Sequence, residues 1–235
     1  MPNRTPKLTP VSGTWQSTPE VHTLGRRSML KGAVALGTLS AAGGTLLAPD
    51  TALAAAKVGQ AAPPFDQLDT HGAKRDLKAM QGRIVVLEWT NHGCPFVRKH
   101  YESSNMQALQ REITAAGAIW LSVISSAPGK QGHVSAPEAN ALTKERKAAP
   151  TGILLDPAGA LGHAYGAQTT PHMYIIDAQG VLRYMGGIDS IPSANPADIP
   201  KAQPFFKEAF TALSKGKAVP KPITRPYGCS VKYST

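Results

Sequence analysis

Residues 83–100 read Arg83-Ile84-Val85-Val86-Leu87-Glu88-Trp89-Thr90-Asn91-His92-Gly93-Cys94-Pro95-Phe96-Val97-Arg98-Lys99-His100. The six residues after Arg83 are β-branched and large apolar side chains around a single carboxylate, the pattern of a strand covered on both faces. Asn91-His92-Gly93 has the composition of a turn. Cys94-Pro95 then opens a helix, because proline is favoured in the first helical turn, where its missing N–H costs nothing. Strand alternation places Ile84, Val86 and Glu88 on one face and Val85, Leu87 and Trp89 on the other. A cysteine therefore stands where a buried strand ends and a helix begins. Free backbone N–H groups and the positive end of the helix dipole favour thiolate there, drawing the pKa from about 8.5 into a range of roughly 3.5–7.5. The competing reading is a small apolar residue buried under a helix.

Outward from this stretch, the segment 57–81 holds Ala62-Pro63-Pro64-Phe65 and the turn-like His71-Gly72, which predict extended chain with short hairpin elements. On the other side the helix is interrupted by the polar Ser103-Ser104-Asn105, which predicts a kink, and Met106, Leu109, Ile113 and Ala116 resume at helical spacing. Further strands are expected over 118–125, 153–155, 172–176 and 181–185, the last two joined by the hairpin Asp177-Ala178-Gln179-Gly180. Helices are expected over 136–148, about 161–165 and 204–214. An irregular tail carrying Cys229 ends the chain. This order predicts α/β architecture: parallel βαβ units finished by an antiparallel pair, with a mixed central sheet and helices on both faces. In such sheets function gathers at the C-terminal ends of the parallel strands, where Cys94 falls.

The 235 residues are 42% hydrophobic and 17% charged, which is globular composition rather than disordered, fibrous or multi-spanning. Formal net charge is +10. Residues 1–54 carry five of the basic side chains against Glu20 and Asp50, leaving 20 basic and 13 acidic residues beyond them. Those lysines are scattered and form no basic stripe interleaved with aromatics, so nucleic acid is not an expected partner. Cys94 and Cys229 are the two cysteines, 135 positions apart. They cannot build a zinc pair, a haem-attachment motif or a multi-bridge scaffold.

Residues 1–54 read as a targeting segment and basic tail, and residues 55–235 as the working domain with its cysteine-bearing end. Gly25-Arg26-Arg27-Ser28-Met29-Leu30-Lys31 resembles the twin-arginine export signal of bacteria, with Met29 in the usual Phe place. A weakly apolar stretch from Gly32 to Ala48 follows, short of the ~20 apolar residues a membrane span needs. Ala52-Leu53-Ala54 has the small-x-small form that a signal peptidase cuts after, so the mature chain is expected to start near Ala55, outside the cytoplasm. The membrane is then a partner only through export.

The segment Trp89 to Tyr101, the pair Thr170-Pro171 and the ending Tyr227-Gly228-Cys229-Ser230-Val231-Lys232-Tyr233 together resemble the peroxiredoxin-like (AhpC/TSA-type) branch of the thioredoxin superfamily, over roughly Gly59 to Tyr233. The resemblance implies a thioredoxin-like fold, redox chemistry at Cys94, and a cis Pro171 opposite it. Thr170 would then present its backbone to the sulfur or to a bound peptide. Glu88 occupies the place of the buried carboxylate below a thioredoxin active site. A desolvated carboxyl there would shuttle a proton during exchange; the alternative is a strand-end glutamate paired with lysine or arginine.

Two departures bear on mechanism. Val97 stands where thioredoxins carry their second cysteine, and Asn91 stands where peroxiredoxins carry a peroxide-binding Thr or Ser, with Thr90 one step earlier. Cys229 is therefore the candidate partner. It would resolve a sulfenic acid or mixed disulfide on Cys94, or form a static bridge worth about 5 kcal/mol in the chain-entropy account, or stay unpaired. Asn91, His92 and Arg98 are candidates for tuning the thiolate. The expected activity is that of an exported thiol-disulfide oxidoreductase or peroxiredoxin-like peroxidase, acting on a disulfide-bearing protein or a hydroperoxide, with no cofactor and no resident metal. The alternative is a copper or haem-assembly binding protein using Cys94 with His92 or His172.

Overall fold

The computed structural model describes residues 55–234. The targeting segment proposed for residues 1–54 lies outside the described residues. A short antiparallel hairpin, β1 (Asp66–Leu68) with β2 (Lys74–Asp76), leads into a 3-10 turn at Lys78–Met80 and then the main sheet. Its central strand β3 (Val85–Trp89) leads to α1 (Pro95–Glu102) and α2 (Asn105–Ala115), followed by β4 (Ile119–Ile124), α3 (Ala136–Glu145) and β5 (Gly152–Leu155). Next come α4 (Ala160–Tyr165), the two-residue β6 (Thr169–Thr170), β7 (His172–Ile176) and β8 (Leu182–Gly186). After a 3-10 segment at Pro196–Lys201, α5 (Phe205–Ser214) and a two-residue β9 (Cys229–Ser230) complete the chain.

The sheet order is β5-β4-β3-β7-β8, with β3, β4 and β5 parallel and β7 and β8 antiparallel to their neighbours. This is the expected thioredoxin-like α/β arrangement. All five residues of β3 are buried, so the strand is covered on both faces. Val85, Leu87 and Trp89 pack with Leu121, Val123, Tyr165 and Tyr174. Val86 packs on the other face with Cys94, Val97, Met106, Trp120 and Phe206 beneath α1, α2 and α5. Burial on both faces makes β3 a rigid element from which the loop after it starts.

The kink expected at Ser103-Ser104-Asn105 is a complete break. Ser104 adopts φ +61, a left-handed conformation that ends α1 before α2 starts, and its side chain makes no cap bond. Helix α3 starts on a reciprocal capping box between Ser135 and Glu138. The ending read as irregular instead forms β9, pairing Cys229 with Thr170 and Ser230 with Thr169. Among the described residues no helix is long and apolar enough to cross a membrane.

Candidate functional site

The turn between β3 and α1 is built by Asn91, which is buried. Its Oδ1 accepts from Gly93 N–H at 2.9 Å, its carbonyl accepts from Cys94 N–H at 3.0 Å, and its Nδ2 donates to the Gln131 carbonyl at 3.2 Å. Cys94 is thereby fixed as the extended residue that caps α1, with Pro95 in the first turn. Its carbonyl accepts from Val97 and Arg98 N–H at 3.1 and 2.9 Å.

Cys94 has no exposed surface, and as a thiol its Sγ donates to the Thr170 carbonyl at 3.1 Å. The Thr170–Pro171 peptide bond is cis. Because β9 is in register with β6, Cys229 lies opposite Thr170, the residue whose carbonyl accepts from the Cys94 sulfur. Both cysteines are free thiols; Cys94 is buried and Cys229 partly exposed. Burial pushes the Cys94 pKa up. Hydrogen bonding from the Cys229 thiol, the Thr170 hydroxyl and the Cys229 and Val97 N–H groups outweighs this and holds it below the ordinary cysteine value. Cys229 moves oppositely: burial, then the neighbouring Cys94, pushes it up to about 11. The two thiols are thus shifted apart, Cys94 down and Cys229 up, so Cys94 is the one that gives up its proton first.

The remaining candidates divide. Glu88 is fully buried, and burial raises its pKa. It is not paired with lysine or arginine. Four neutral donors surround it: Tyr101 Oη at 2.7 Å, Trp120 Nε1 at 2.9 Å, Ser122 Oγ at 3.0 Å and Gln110 Nε2 at 3.2 Å. It anchors α1 through Tyr101. Arg98 donates to Glu102, one turn further along α1, at 2.7 Å in an exposed pair. Burial, then Arg146, lowers the His92 pKa, and Arg146 donates to its carbonyl at 2.9 Å. Asn91 shapes the turn and donates to no sulfur. His172 Nδ1 faces the Tyr174 hydroxyl at 3.1 Å, and burial lowers the His172 pKa to about 3.

Two residues carry no sequence signal. Lys99, fully buried on α1, directs Nζ to Asp189 Oδ2 at 3.3 Å, to the Ile191 carbonyl at 3.1 Å and to the Tyr227 hydroxyl at 3.4 Å. The Tyr227 hydroxyl donates to Asp189 Oδ1 at 2.5 Å. This ion pair grips the tail two residues before Cys229. A lysine following an arginine on a helix reads as solvated, and nothing local in the sequence marks Asp189 as its partner.

The sequence profile of the AhpC/TSA family matches residues 58–185, more than half of the chain. No curated protein matches it. Among solved structures, a hypothetical protein from Sinorhizobium meliloti 1021 shares 21% identity over 76% of this chain and 96% of its own, at a TM-score of 0.61. An uncharacterized conserved protein from Geobacillus kaustophilus shares 24% identity over 76% of this chain and 93% of its own, at a TM-score of 0.63. A peroxidoxin from Mycobacterium tuberculosis shares 18% identity over 55% of this chain and 83% of its own, at a TM-score of 0.41.

Proposed function

The chain belongs to the AhpC/TSA family of thiol oxidoreductases, and from that premise we propose that it cycles between a dithiol and a disulfide, with Cys94 as attacking thiolate and Cys229 as resolving thiol. The observation that carries this reading is the β6–β9 pairing, which sets Cys229 opposite Thr170, whose carbonyl accepts from the Cys94 sulfur at 3.1 Å. Local pairing within α1 is closed because the position three residues after Cys94 is Val97.

With a disulfide substrate, the Cys94 thiolate attacks one sulfur and the other leaves as thiolate. Cys229 then gives up its proton and attacks the Cys94 sulfur of the mixed disulfide, expelling the second substrate thiolate. Two protein thiols are oxidised and one substrate disulfide is reduced to two thiols. A hydroperoxide would reach the same end: Cys94 becomes a sulfenic acid as an alcohol leaves, and Cys229 condenses with it, releasing water. Asn91, at the peroxide-binding place, lacks the hydroxyl of a Thr or Ser and directs Oδ1 to Gly93 and Nδ2 to the Gln131 carbonyl, so the exchange reaction is the better supported. Holding both sulfurs in one site replaces a second encounter by an intramolecular step.

Thr170 acts on the reacting sulfur through its hydroxyl and carbonyl, and Pro171 positions it. Glu88 is a positioning residue for α1. The copper or haem-assembly alternative draws no support from the donors: no group of three metal-ligating side chains gathers among the described residues. Arg26-Arg27 and Ala52-Leu53-Ala54 support export, where an oxidising space suits such a couple. Cys94→Ser is expected to abolish turnover, and Cys229→Ser to stall the protein as a mixed disulfide or sulfenic acid at Cys94. Unchanged turnover in both variants would refute the proposal.

A further inference from the structure

The Cys94 sulfur has no solvent-exposed surface, and what covers it is this chain's own tail. The tail crosses the site as a strap fixed at both ends. On one side Met185 N–H donates to the Pro222 carbonyl at 3.1 Å, and Tyr227 is held by Asp189 and Lys99. On the other, Val231 N–H donates to the Gln168 carbonyl at 2.9 Å and Ala127 N–H to the Lys232 carbonyl at 2.8 Å. Tyr233 ends the strap: its ring stacks on His163 at 4.1 Å and its hydroxyl donates to the Ala167 carbonyl at 2.7 Å. The ring lies where side chains at Gly159 and Gly162 would stand. Between the anchors Cys229 and Ser230 pair antiparallel with β6, occupying the strand edge beside the sulfur. Gly228 approaches the Thr170 carbonyl so closely that any Cβ would collide with it. An exposed strand edge is what an extended polypeptide recognises, by adding a strand. Here that edge is already taken.

The two kinds of oxidant make different demands. A small molecule needs only the Cys229 side chain displaced. A polypeptide disulfide needs the Gly228–Ser230 backbone off β6, and therefore release of an anchor. A cavity of about 440 Å3, lined by Thr169, Phe205, Arg225, Tyr227 and Gly228, opens on the flank of the Thr170–Cys229 pair. Its size suits a small organic molecule.

Resting on the function proposed above, we infer that the anchored tail is a specificity device: Tyr227 and Tyr233 hold a built-in strand over Cys94, so that its oxidants are low-molecular-weight molecules and not polypeptide disulfides. The test follows the first chemical step, loss of the Cys94 thiol in the reduced full chain, with two probes of one chemistry: 2-hydroxyethyl disulfide and a disulfide-linked peptide of about a dozen residues. The full chain is expected to react on the order of 10-fold faster or more with the small probe. Tyr233→Ala removes a hydrogen bond and a stacked ring, so it is expected to raise the peptide rate on the order of 10-fold while leaving the small-probe rate within about 3-fold. Gly228→Ala, which forces β9 from β6, is expected to do the same. Tyr233→Ala supplies the folded comparator if Gly228→Ala misfolds.

Equal rates with the two probes in the full chain, or an unchanged ratio in Tyr233→Ala, would overturn the inference. Cys94→Ser separates this outcome from failure of the underlying function. If the serine variant forms adducts with both probes as fast as the full chain, Cys94 is not the attacking thiol. If it does not, only the role of the tail is at stake.

Discussion

Asp189→Asn removes one charge from the pair that holds the tail, and the structure sets what that costs. Lys99 Nζ is fully buried and loses its carboxylate at 3.3 Å, keeping only the Ile191 carbonyl at 3.1 Å and the Tyr227 hydroxyl at 3.4 Å. The new amide can accept from Tyr227 or turn its NH2 away from the ammonium, but it cannot neutralise it. His100 adds no second unpaired charge. Burial lowers its pKa to about 4, so it is neutral near pH 7 despite lying 3.7 Å from Asp189. Breaking a buried pair by removing one partner costs about 3–5 kcal/mol. For a domain of this size that is about 6–20 °C in Tm. The matched control lies one residue away: Arg98→Ala breaks an ion pair whose side chains are 55% and 57% exposed. It should cost about 0–1 kcal/mol. Lys99→Met with Asp189→Leu removes both charges and should recover most of the loss. Urea titration at pH 7 measures all four proteins. If Asp189→Asn falls within about 1 kcal/mol of Arg98→Ala, Lys99 is hydrated in solution and the tail is not held as described.

Four further outcomes are expected. Burial depresses His172 to about 3, so between there and about 6.5 the unfolded chain holds a proton that the folded one lacks. Stability must fall as pH falls through that window; His172→Asn should reduce the slope by about 1.4 kcal/mol per pH unit in urea titrations, and an unchanged slope would contradict the burial argument. Alkylation of Cys94 should follow a thiolate with its midpoint below the ordinary cysteine value, and Cys229→Ala, which removes the largest favourable contribution, should move that midpoint up. Glu88→Gln presents an amide NH2 to a shell of donors and should cost about 1–3 kcal/mol while leaving the Cys94 alkylation midpoint in place; a displaced midpoint would show direct coupling of Glu88 to the sulfur. Arg26→Lys with Arg27→Lys should retain the protein in the cytoplasm on fractionation, and normal export would remove the twin-arginine reading.

The fold and the position of the principal thiol were legible because they rest on local patterns. The apolar run that begins after Arg83 fixes the central strand, whose residues Val85–Trp89 are all buried, and Pro95 marks the helix that starts after Cys94. Pro171 and Cys229 were recognisable through short motifs, but their meeting at Thr170 is a contact between segments 59 positions apart. No local periodicity encodes such a pairing. A two-residue strand is also too short to show alternation, which is why β9 read as irregular tail. Arg98 and Lys99 show the same limit more sharply. Adjacent basic residues on one helix are indistinguishable by composition, yet one reaches solvent and Glu102 while the other is buried against Asp189. Helical rotation of about 100° per residue separates them, and only the packed tail shows which side is buried. Glu88 was found by its place in the strand, but its four donors come from α1, α2 and β4 and emerge only on folding.

The central claim is that Cys94 and Cys229 are the two ends of one redox couple. Titrating the reduced full chain with one equivalent of 2-hydroxyethyl disulfide, followed by intact mass and peptide mapping, tests it directly. The account predicts loss of two hydrogens, a single Cys94–Cys229 cross-linked peptide, and complete reversal by a small dithiol. A persistent adduct on Cys94 with Cys229 still free in the wild-type chain would contradict it.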